Sequence, residues 1–263
     1  MNTKDQLNRE IVIENIPQRI ICLVPSHTEL LFDLGLEDRI VGITKFCVHP
    51  KHFITEKTIV GGTKKVNYKK IKDLLPDLII ANKEENTEYM VSELEDIAPT
   101  YVSNINSIEN SSEFILDIGK LCKISKKATL LVDDIETALK KFRKNIEDSP
   151  TIKVVYFIWT KPWMVVGGNN YINEILKLNK FENLFDSADR YPEIYVEYLS
   201  DLNPELILLS SEPFPFKKVH IKELKEHIDT KFLLVDGEMF SWYGSRLLKA
   251  LPYFETLHKQ INN

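Results

Sequence analysis

Short runs rich in Ile, Val and Leu alternate with helix-like segments along this chain, and this alternation most constrains its fold. The runs do not switch strictly between polar and apolar residues, which is typical of parallel strands covered on both faces. Helical segments between such strands indicate an α/β architecture. The predicted strands are RIICLV (19–24), RIVGIT (39–44), DLIIAN (77–82), KVVYFIW (153–159), ELILLS (205–210) and KFLLVD (231–236).

One long amphipathic helix is predicted over residues 125–148, with apolar residues at the spacing that places them on one face. Ser125 can cap its start, and Pro150 prevents its continuation. At 1.5 Å per residue such a helix is roughly 36 Å long, about the width of a small domain. It can either join two lobes or pack along one continuous sheet. Its apolar positions are Ala128, Leu131, Val132, Ile135, Ala138, Leu139, Phe142 and Ile146.

An internal repeat favours two lobes. KDLLPDLIIANKE (72–84) and SDLNPELILLSSE (200–212) align without gaps and are identical at six of thirteen positions. Because the long helix lies between the copies, we expect two similar α/β lobes joined by one rod. The predicted domains are residues 1–124, a connecting helix 125–149, and residues 150–263. A chance match, or a common helix–strand turn, is the alternative.

Composition excludes some partners and leaves the cellular compartment open. The net charge is −5 with both signs mixed along the chain, whereas nucleic-acid binding needs a basic stripe. No apolar run approaches the ~18 residues of a membrane-spanning helix. The first residues lack the apolar core of a secretion signal, so we expect either a mature form or a cytoplasmic protein. The widely spaced Cys22, Cys47 and Cys122 are predicted to be free thiols.

The stretch CLVPSHTELLFDLGL (22–36) predicts a buried strand followed directly by a helix. Ser26 and Glu29 fit a capping box, and Gly35 suits the residue after the helix. His27 then lies at the carboxyl end of the first strand, where open α/β sheets bind ligands. The alternative is a solvent-facing histidine in the first turn.

The second half of the chain has a comparable strand–helix turn, in which Gly167 and Gly168 precede a helix that Asn169 can cap. Large aromatic residues near Gly and Pro form either lids over a core or a stacking surface for a bulky flat ligand. Arg246 offers a planar donor fork for a carboxylate or phosphate, or a surface salt bridge. The aromatic set is Trp159, Trp163, Tyr191, Trp242 and Tyr243.

Catalytic signatures are absent: the chain has no nucleophile elbow, phosphate-binding loop, zinc-protease helix or dinucleotide fingerprint. The stretch CVHPKH (47–52) loosely suggests metal ligation by Cys47, His49 and His52. No second cluster of such residues accompanies it in the sequence.

The sequence resembles the substrate-binding proteins of ABC transporters whose two lobes are bridged by one long helix. The nearest branch is that of the cobalamin-binding and ferric-siderophore-binding proteins. The likeness extends from about residue 9 to residue 260. It rests on RIICLVPSHTELLFDLGLEDRIVGIT (19–44), LLPDLIIANKEE (74–85), NEILKLNKFENLF (173–185) and RYPEIYVEYLSDLNPELILLS (190–210).

The resemblance implies two Rossmann-like lobes with parallel sheets, a ligand held between them, and no catalysis. It also implies that each lobe offers a glutamate to arginines of the membrane permease, at Glu88 and Glu197, with Glu84 and Glu85 as competitors in the first lobe. Tyr191 matches a ligand-stacking Trp of that branch, whereas Asn82 stands where the other lobe has its stacking Trp. One aromatic wall of a cobalamin site is therefore missing.

The leading hypothesis is a monomeric, extracytoplasmic binding protein that captures a ferric siderophore or corrinoid and delivers it to an ABC permease with its ATPase. It needs no intrinsic cofactor, and neither nucleic acid nor membrane insertion is expected. The alternatives are a receptor for bare Zn²⁺ or Mn²⁺, and a cytoplasmic enzyme or sensor with the same two-lobe shell. The predicted ligand-binding residues are His27, Trp163, Tyr191, Trp242, Tyr243 and Arg246.

Overall fold

The computed structural model describes residues 2–262, and the chain divides into two compact units. Unit 1 contains Met1–Thr137 together with Trp242–Leu248, and unit 2 contains Ala138–Ser241 and Lys249–Asn263. The division at residues 137 and 138 falls inside a helix that the sequence analysis treats as a separate connection. We call Trp242–Leu248 the return segment, because it belongs to unit 1 although its flanking residues belong to unit 2.

Unit 1 is an α/β unit with one main sheet. Its strands are β1 (Asn2–Lys4), β2 (Glu10–Val12), β3 (Ile20–Cys22), β4 (Ile40–Thr44), β5 (Thr58–Gly61), β6 (Leu78–Asn82) and β7 (Thr100–Ser103). Its helices are α1 (Pro25–Asp33), α2 (Phe53–Glu56), α3 (Tyr68–Asp73), α4 (Glu88–Glu95), α5 (Ile108–Leu121) and the first part of α6 (Ser125–Asn145), with 3₁₀ turns at Glu37–Arg39 and Gly244–Arg246.

Unit 2 repeats the α/β pattern. Its strands are β8 (Ile152–Trp159), β9 (Met164–Val165), β10 (Phe181–Asn183), β11 (Leu206–Ser210) and β12 (Lys231–Val235). Its helices are the rest of α6, then α7 (Tyr171–Leu178), α8 (Leu199–Leu202), α9 (Lys218–Leu224), α10 (Gly237–Ser241) and most of α11 (Leu247–Asn262), with a 3₁₀ turn at Val196–Tyr198.

Both main sheets are built from parallel strands. The order in unit 1 is β5-β4-β3-β6-β7, and the order in unit 2 is β10-β8-β11-β12, with β9 added antiparallel to β8. A separate antiparallel pair, β1 and β2, lies at the amino end. Fully buried Ile, Val and Leu side chains along β3, β6, β8 and β11 fill the cores of the two units.

The predicted fold class is confirmed: two α/β lobes with parallel sheets, joined by a long helix. Each of the predicted strands is present as β3, β4, β6, β8, β11 or β12, within one or two residues at its ends. The strands that the sequence analysis does not anticipate, such as β7 and β10, have only three or four residues. β7 (TYVS) and β10 (FEN) contain two apolar residues and one, so they lack the apolar run that marks the equally short β3.

The internal repeat has a structural counterpart at the proline–acid turn before β6 and before β11. In the first copy, the Asp77 N–H donates to the Arg19 carbonyl over 3.0 Å, and the Arg19 N–H donates to the Asp77 carboxylate over 2.8 Å. In the second copy, Glu205 and Lys153 exchange the same pair of bonds, both 2.9 Å long. The repeated sequence therefore forms a repeated clamp between neighbouring strands.

Each copy of that turn also contains a residue with left-handed backbone, two positions before the acid. Leu75 has φ 46° and Asn203 has φ 49°. The proline that follows restricts both residues, and this conformation reverses the chain before the strand begins. The match of an unusual conformation at equivalent positions indicates that the sequence repeat is not a chance alignment.

Helix α6 has the predicted apolar stripe. Ala128, Val132, Ile135, Leu139 and Phe142 are all buried, as periodicity predicts. The predicted helix extends to residue 148, whereas α6 ends at residue 145 and a turn follows it.

The start of α1 differs from the predicted capping box. The helix begins at Pro25, with Val24 as its N-cap residue and no side-chain cap. Proline favours the first helical position because its missing N–H needs no partner there, so Ser26 lies inside the helix. Similarly, Asn170 rather than Asn169 caps α7. The predicted end is confirmed at Gly35, which has φ 74°.

Replacing Phe142 by Ala should test how firmly α6 is packed in unit 2. The Phe142 ring is buried, 6.1 Å from the ring of Phe254. We expect the free energy of unfolding, measured with urea, to fall by about 3–5 kcal/mol. The control is Leu130→Ala on the exposed side of the same helix, where Leu130 is 54% exposed. A loss of about 0.5 kcal/mol or less is expected there, and equal losses would contradict the packing.

Candidate functional site

A buried polar network links the carboxyl ends of β6 and β7 to the first turn of α1 in unit 1. Nε2 of His27 lies 2.7 Å from Oγ of Ser103, the last residue of β7. Asn82, the last residue of β6, donates to the same oxygen over 2.9 Å. The Ser103 hydroxyl donates to the carbonyl of Ala81 over 3.3 Å. His27, Asn82 and Ser103 are all buried, so the network orders the strand ends of unit 1.

Burial keeps the His27 imidazole of this network neutral. A serine hydroxyl can donate one hydrogen bond and accept two. The Ser103 oxygen accepts from Asn82, and its contact with Nε2 of His27 is a hydrogen bond in either tautomer of the neutral imidazole. Burial lowers the pKa of the His27 imidazole to about 3, and the ring is therefore neutral at physiological pH.

The return segment packs against α1 through a buried ion pair. Nε of Arg246 donates to Oε2 of Glu29 over 2.7 Å, and both side chains are buried. The Gly244 N–H donates to Oγ of Ser111 on α5 over 2.8 Å. The Arg246 guanidinium lies 4.8 Å from the Trp242 ring centroid, within cation–π range. Glu29 therefore binds Arg246, and this pairing explains why it does not close the predicted capping box.

Four of the predicted ligand-binding residues lie together in this part of unit 1. The imidazole of His27 is 4.1 Å from the ring of Phe114 and 5.1 Å from the ring of Tyr243, between centroids. Trp242 and Tyr243 are buried, as are His27 and Arg246. In the structure they pack the interior of unit 1, and their contact with a ligand stays a prediction.

An aromatic cluster lies at the carboxyl ends of β8 and β11 in unit 2. Trp159, the last residue of β8, is 40% exposed, and its ring is 5.6 Å from that of Phe214. Phe214 is 4.9 Å from Phe216, which stacks at an interplanar angle of 10° on Trp163, 6.1 Å away. The cluster therefore presents aromatic surface at the sheet edge where α/β proteins bind ligands.

The rest of this cluster comes from the loop after β11 and from α9, neither of which the sequence analysis singles out. His220 packs against Phe214 and Phe216 at 5.1 and 5.4 Å, and its Nδ1 accepts a hydrogen bond from the Lys217 N–H. The signal was present in EPFPFKKVH (212–220), since two phenylalanines follow a predicted strand directly. A prediction based on tryptophans and tyrosines alone at this sheet edge leaves these phenylalanines out.

Trp163 and Tyr191 lie on two paired segments of unit 2. The Ile194 N–H donates to the Trp163 carbonyl over 2.9 Å, and the Val165 N–H donates to the Pro192 carbonyl over 3.1 Å. Both side chains are half-buried. The pairing holds Tyr191 in a defined loop beside β9. Stacking of the Tyr191 ring on a ligand stays a prediction.

The predicted docking glutamates are exposed in their own units. Glu88 is the first residue of α4, after Thr87, whose side chain caps the helix. Glu197 lies in the 3₁₀ turn Val196–Tyr198. The competitors Glu84 and Glu85 are half-buried, and burial raises the pKa of the Glu85 carboxyl.

The cysteines are buried free thiols, as predicted. Burial raises the pKa of the Cys22 thiol to about 12, so it stays protonated and a poor metal ligand. The side chains of the CVHPKH stretch have different neighbours: Cys47 lies beside Thr28, and the His49 ring lies against Trp242. Among the described residues, Cys47 and His49 belong to no group of three metal-ligating side chains.

Comparison with known proteins identifies the family. The family described as Periplasmic binding protein matches residues 20–231 of this chain. An uncharacterized ABC transporter substrate-binding lipoprotein of Bacillus subtilis, YvrC, is 28% identical, and the match covers 94% of this chain and 82% of that protein. The vitamin B12-binding protein of Vibrio vulnificus is 26% identical, with 73% of this chain and 71% of that protein covered.

A solved structure shows the same fold. A periplasmic heme-binding protein from Pseudomonas aeruginosa superposes with a TM-score of 0.81 at 20% identity, covering 92% of each chain. At this identity the likeness concerns the fold alone. Over residues 2–262, no helix combines the length and apolar character that crossing a membrane requires.

The buried state of His27 should make stability depend on pH. Its folded-state pKa of about 3 lies below the usual value of 6.5, so between these values only the unfolded chain takes up the proton. The free energy of unfolding should therefore fall as the pH drops from 6.5, by up to about 1.4 kcal/mol per pH unit from this group. Urea unfolding across this range should show a shallower pH dependence in His27→Gln, and an unchanged slope would contradict the neutral, buried imidazole.

Proposed function

The chain belongs to the Periplasmic binding protein family, and from this premise we propose that it is the substrate-binding protein of an ABC importer for a metal chelate. The proposed ligand class is a corrinoid, haem or ferric siderophore. The protein binds and delivers this ligand without chemical conversion. It acts outside the cytoplasmic membrane and hands its cargo to a permease that is coupled to an ATPase.

The aromatic cluster of unit 2 is the observation that supports this class of ligand. Trp159 is 40% exposed at the end of a parallel sheet and contacts Phe214, which contacts Phe216, and Phe216 stacks on Trp163. Aromatic surface of this kind binds flat, apolar macrocycles by stacking. A bare metal ion would instead need three or four converging polar ligands. The cluster therefore supports a chelate rather than a free ion as cargo.

Trp163 and Tyr191 are the proposed ligand contacts in unit 2, because both are half-buried and lie in loops beside β9. Two of the similar proteins are named for vitamin B12 and for heme, and both ligands contain a large ring around a metal. The other proposed contacts are buried in unit 1, so contact with a ligand there requires surrounding side chains to move. These are His27, Trp242, Tyr243 and Arg246.

Permease docking is proposed at Glu88 in unit 1 and Glu197 in unit 2. Both carboxylates are exposed beside exposed tyrosines: Tyr89 is 71% exposed, Tyr195 is 77% exposed and Tyr198 is 63% exposed. Tyrosine is enriched at the centres of protein interfaces, and charge complementarity directs the partners together. Exposed carboxylates flanked by such rings therefore suit an arginine-bearing partner.

The charge around Glu197 adds to this argument. Residues 191–201 contain the exposed Glu193, Glu197 and Asp201 but no lysine or arginine. An uninterrupted acidic stretch attracts a basic surface and repels an acidic one. Exposed ion pairs are individually worth only about 0–1 kcal/mol, so docking needs both units to engage at once.

Ligand binding is testable by tryptophan fluorescence. Haem, cobalamin and a ferric siderophore are titrated into the protein separately. We expect at least one of them to quench the tryptophan emission along a saturable curve. Tyr191→Ala should raise the Kd for that chelate about tenfold, the loss expected for one stacked ring. Tyr89→Ala removes an exposed tyrosine from unit 1 and should leave the Kd unchanged. Absence of quenching by every chelate would refute the proposed ligand class.

Docking is testable separately from ligand binding. The double variant Glu88→Ala/Glu197→Ala should abolish chelate uptake by cells that carry the permease, because both proposed contacts are lost. Its affinity for the chelate should equal that of the wild type. The control is Glu136→Ala/Glu182→Ala, which makes the same change of charge at exposed positions on α6 and β10. Normal uptake by the docking variant would refute the docking assignment.

A further inference from the structure

We propose that Glu37, His52 and Glu56 form a binding site for one divalent transition-metal ion, with Zn²⁺ or Mn²⁺ as the fitting ions. One ligand atom from each residue lies within 4.8 Å of those from the other two. Among the described residues this is the one group of three His, Cys, Asp or Glu side chains with that spacing. The site uses His52 of the CVHPKH stretch, whose other potential ligands have different partners.

Two of the ligands come from one short helix. His52 is the N-cap residue of α2, and Glu56 is its last residue, four positions later. Residues at this spacing share one face of a helical turn. The His52 carbonyl accepts the Glu56 N–H over 3.1 Å, which holds the turn closed. Phe53, fully buried beneath it, anchors α2 to unit 1.

The third ligand is held in place by its backbone. Glu37 begins the 3₁₀ turn before β4, and its carbonyl accepts a hydrogen bond of 2.8 Å from Nζ of Lys57. The lysine charge is thus directed at a peptide carbonyl. The Glu37 carboxylate lies 2.8 Å from Nε2 of His52. Insertion of an ion requires a shift of a few tenths of an ångström between these two atoms.

The side chains of the site are well suited to a transition-metal ion. The His52 ring is oriented by edge contacts with Phe32, at 5.8 Å, and with Phe53, at 5.1 Å. Within residues 2–262 the Glu56 carboxylate has no hydrogen bond or ion pair, although one of its oxygens lies within 4.8 Å of the Glu37 carboxylate. One imidazole nitrogen and two carboxylates match the preferences of Zn²⁺ and Mn²⁺, whereas Mg²⁺ prefers oxygen ligands alone.

A bound ion would join two connections of unit 1 that are distant in sequence. Glu37 lies between α1 and β4, whereas His52 and Glu56 lie between β4 and β5. Because the ion binds both connections only when they are folded, its binding should stabilise unit 1. The rival explanation is that His52 pairs with Glu37 and that no metal binds.

Isothermal titration of the chelator-treated full chain with ZnCl₂ and MnCl₂ distinguishes these explanations. We expect one ion per chain, and at least a tenfold higher Kd in both His52→Ala and Glu56→Gln. The control His227→Ala removes a half-buried histidine of unit 2 and should bind like the wild type. The wild type and the control should also gain more thermal stability with Zn²⁺ than Glu56→Gln does.

Two outcomes would overturn the site. One is no saturable binding of either ion by the wild type, which would leave the three residues as an ion-pair cluster. The other is equal binding by the wild type, His52→Ala and Glu56→Gln, which would place the ion elsewhere. Glu56→Gln preserves the size of the side chain at an exposed position, so its folding can be verified by circular dichroism before titration. Neither outcome bears on chelate binding, which is measured with different ligands.

Discussion

The buried ion pair between Glu29 and Arg246 is the interaction on which the organisation of unit 1 depends. It joins residues that are 217 positions apart and brings the return segment onto α1. Removing one partner of a buried pair leaves the other charge without compensation, at a cost of about 3–5 kcal/mol. The return segment also carries Tyr243 to His27, so the pair determines the surroundings of the imidazole.

The two units use related backbones for different chemistry. The clamps at Asp77 and Glu205 start β6 and β11 in the same way. Beyond these strands, however, unit 1 has a closed polar network around Ser103, whereas unit 2 has partly exposed rings around Trp159. This difference is why we assign most of the proposed stacking to unit 2. It also accords with the lack of an aromatic residue at Asn82.

The sequence does not predict most contacts of the candidate site, because each of its residues has several possible partners. Glu29 could cap α1 or pair with a distant cation, and only packing of the return segment brings Arg246 to it. Phe214 and Phe216 follow a recognisable strand, but a phenylalanine in a loop does not reveal whether it is buried or exposed. The ligand atoms of Glu37, His52 and Glu56 meet only because two separate connections lie side by side.

The sequence by itself determined the α/β class, the positions of the main strands, the apolar stripe of α6 and the repeated proline–acid turn. These features follow from local periodicity and backbone restrictions, which neighbouring residues impose directly. Only the tertiary structure decided that α1 begins at Pro25, that Trp242–Leu248 belongs to unit 1, and that His27 is neutral and buried. Those outcomes depend on contacts between residues far apart in the chain, whose energies no local pattern encodes.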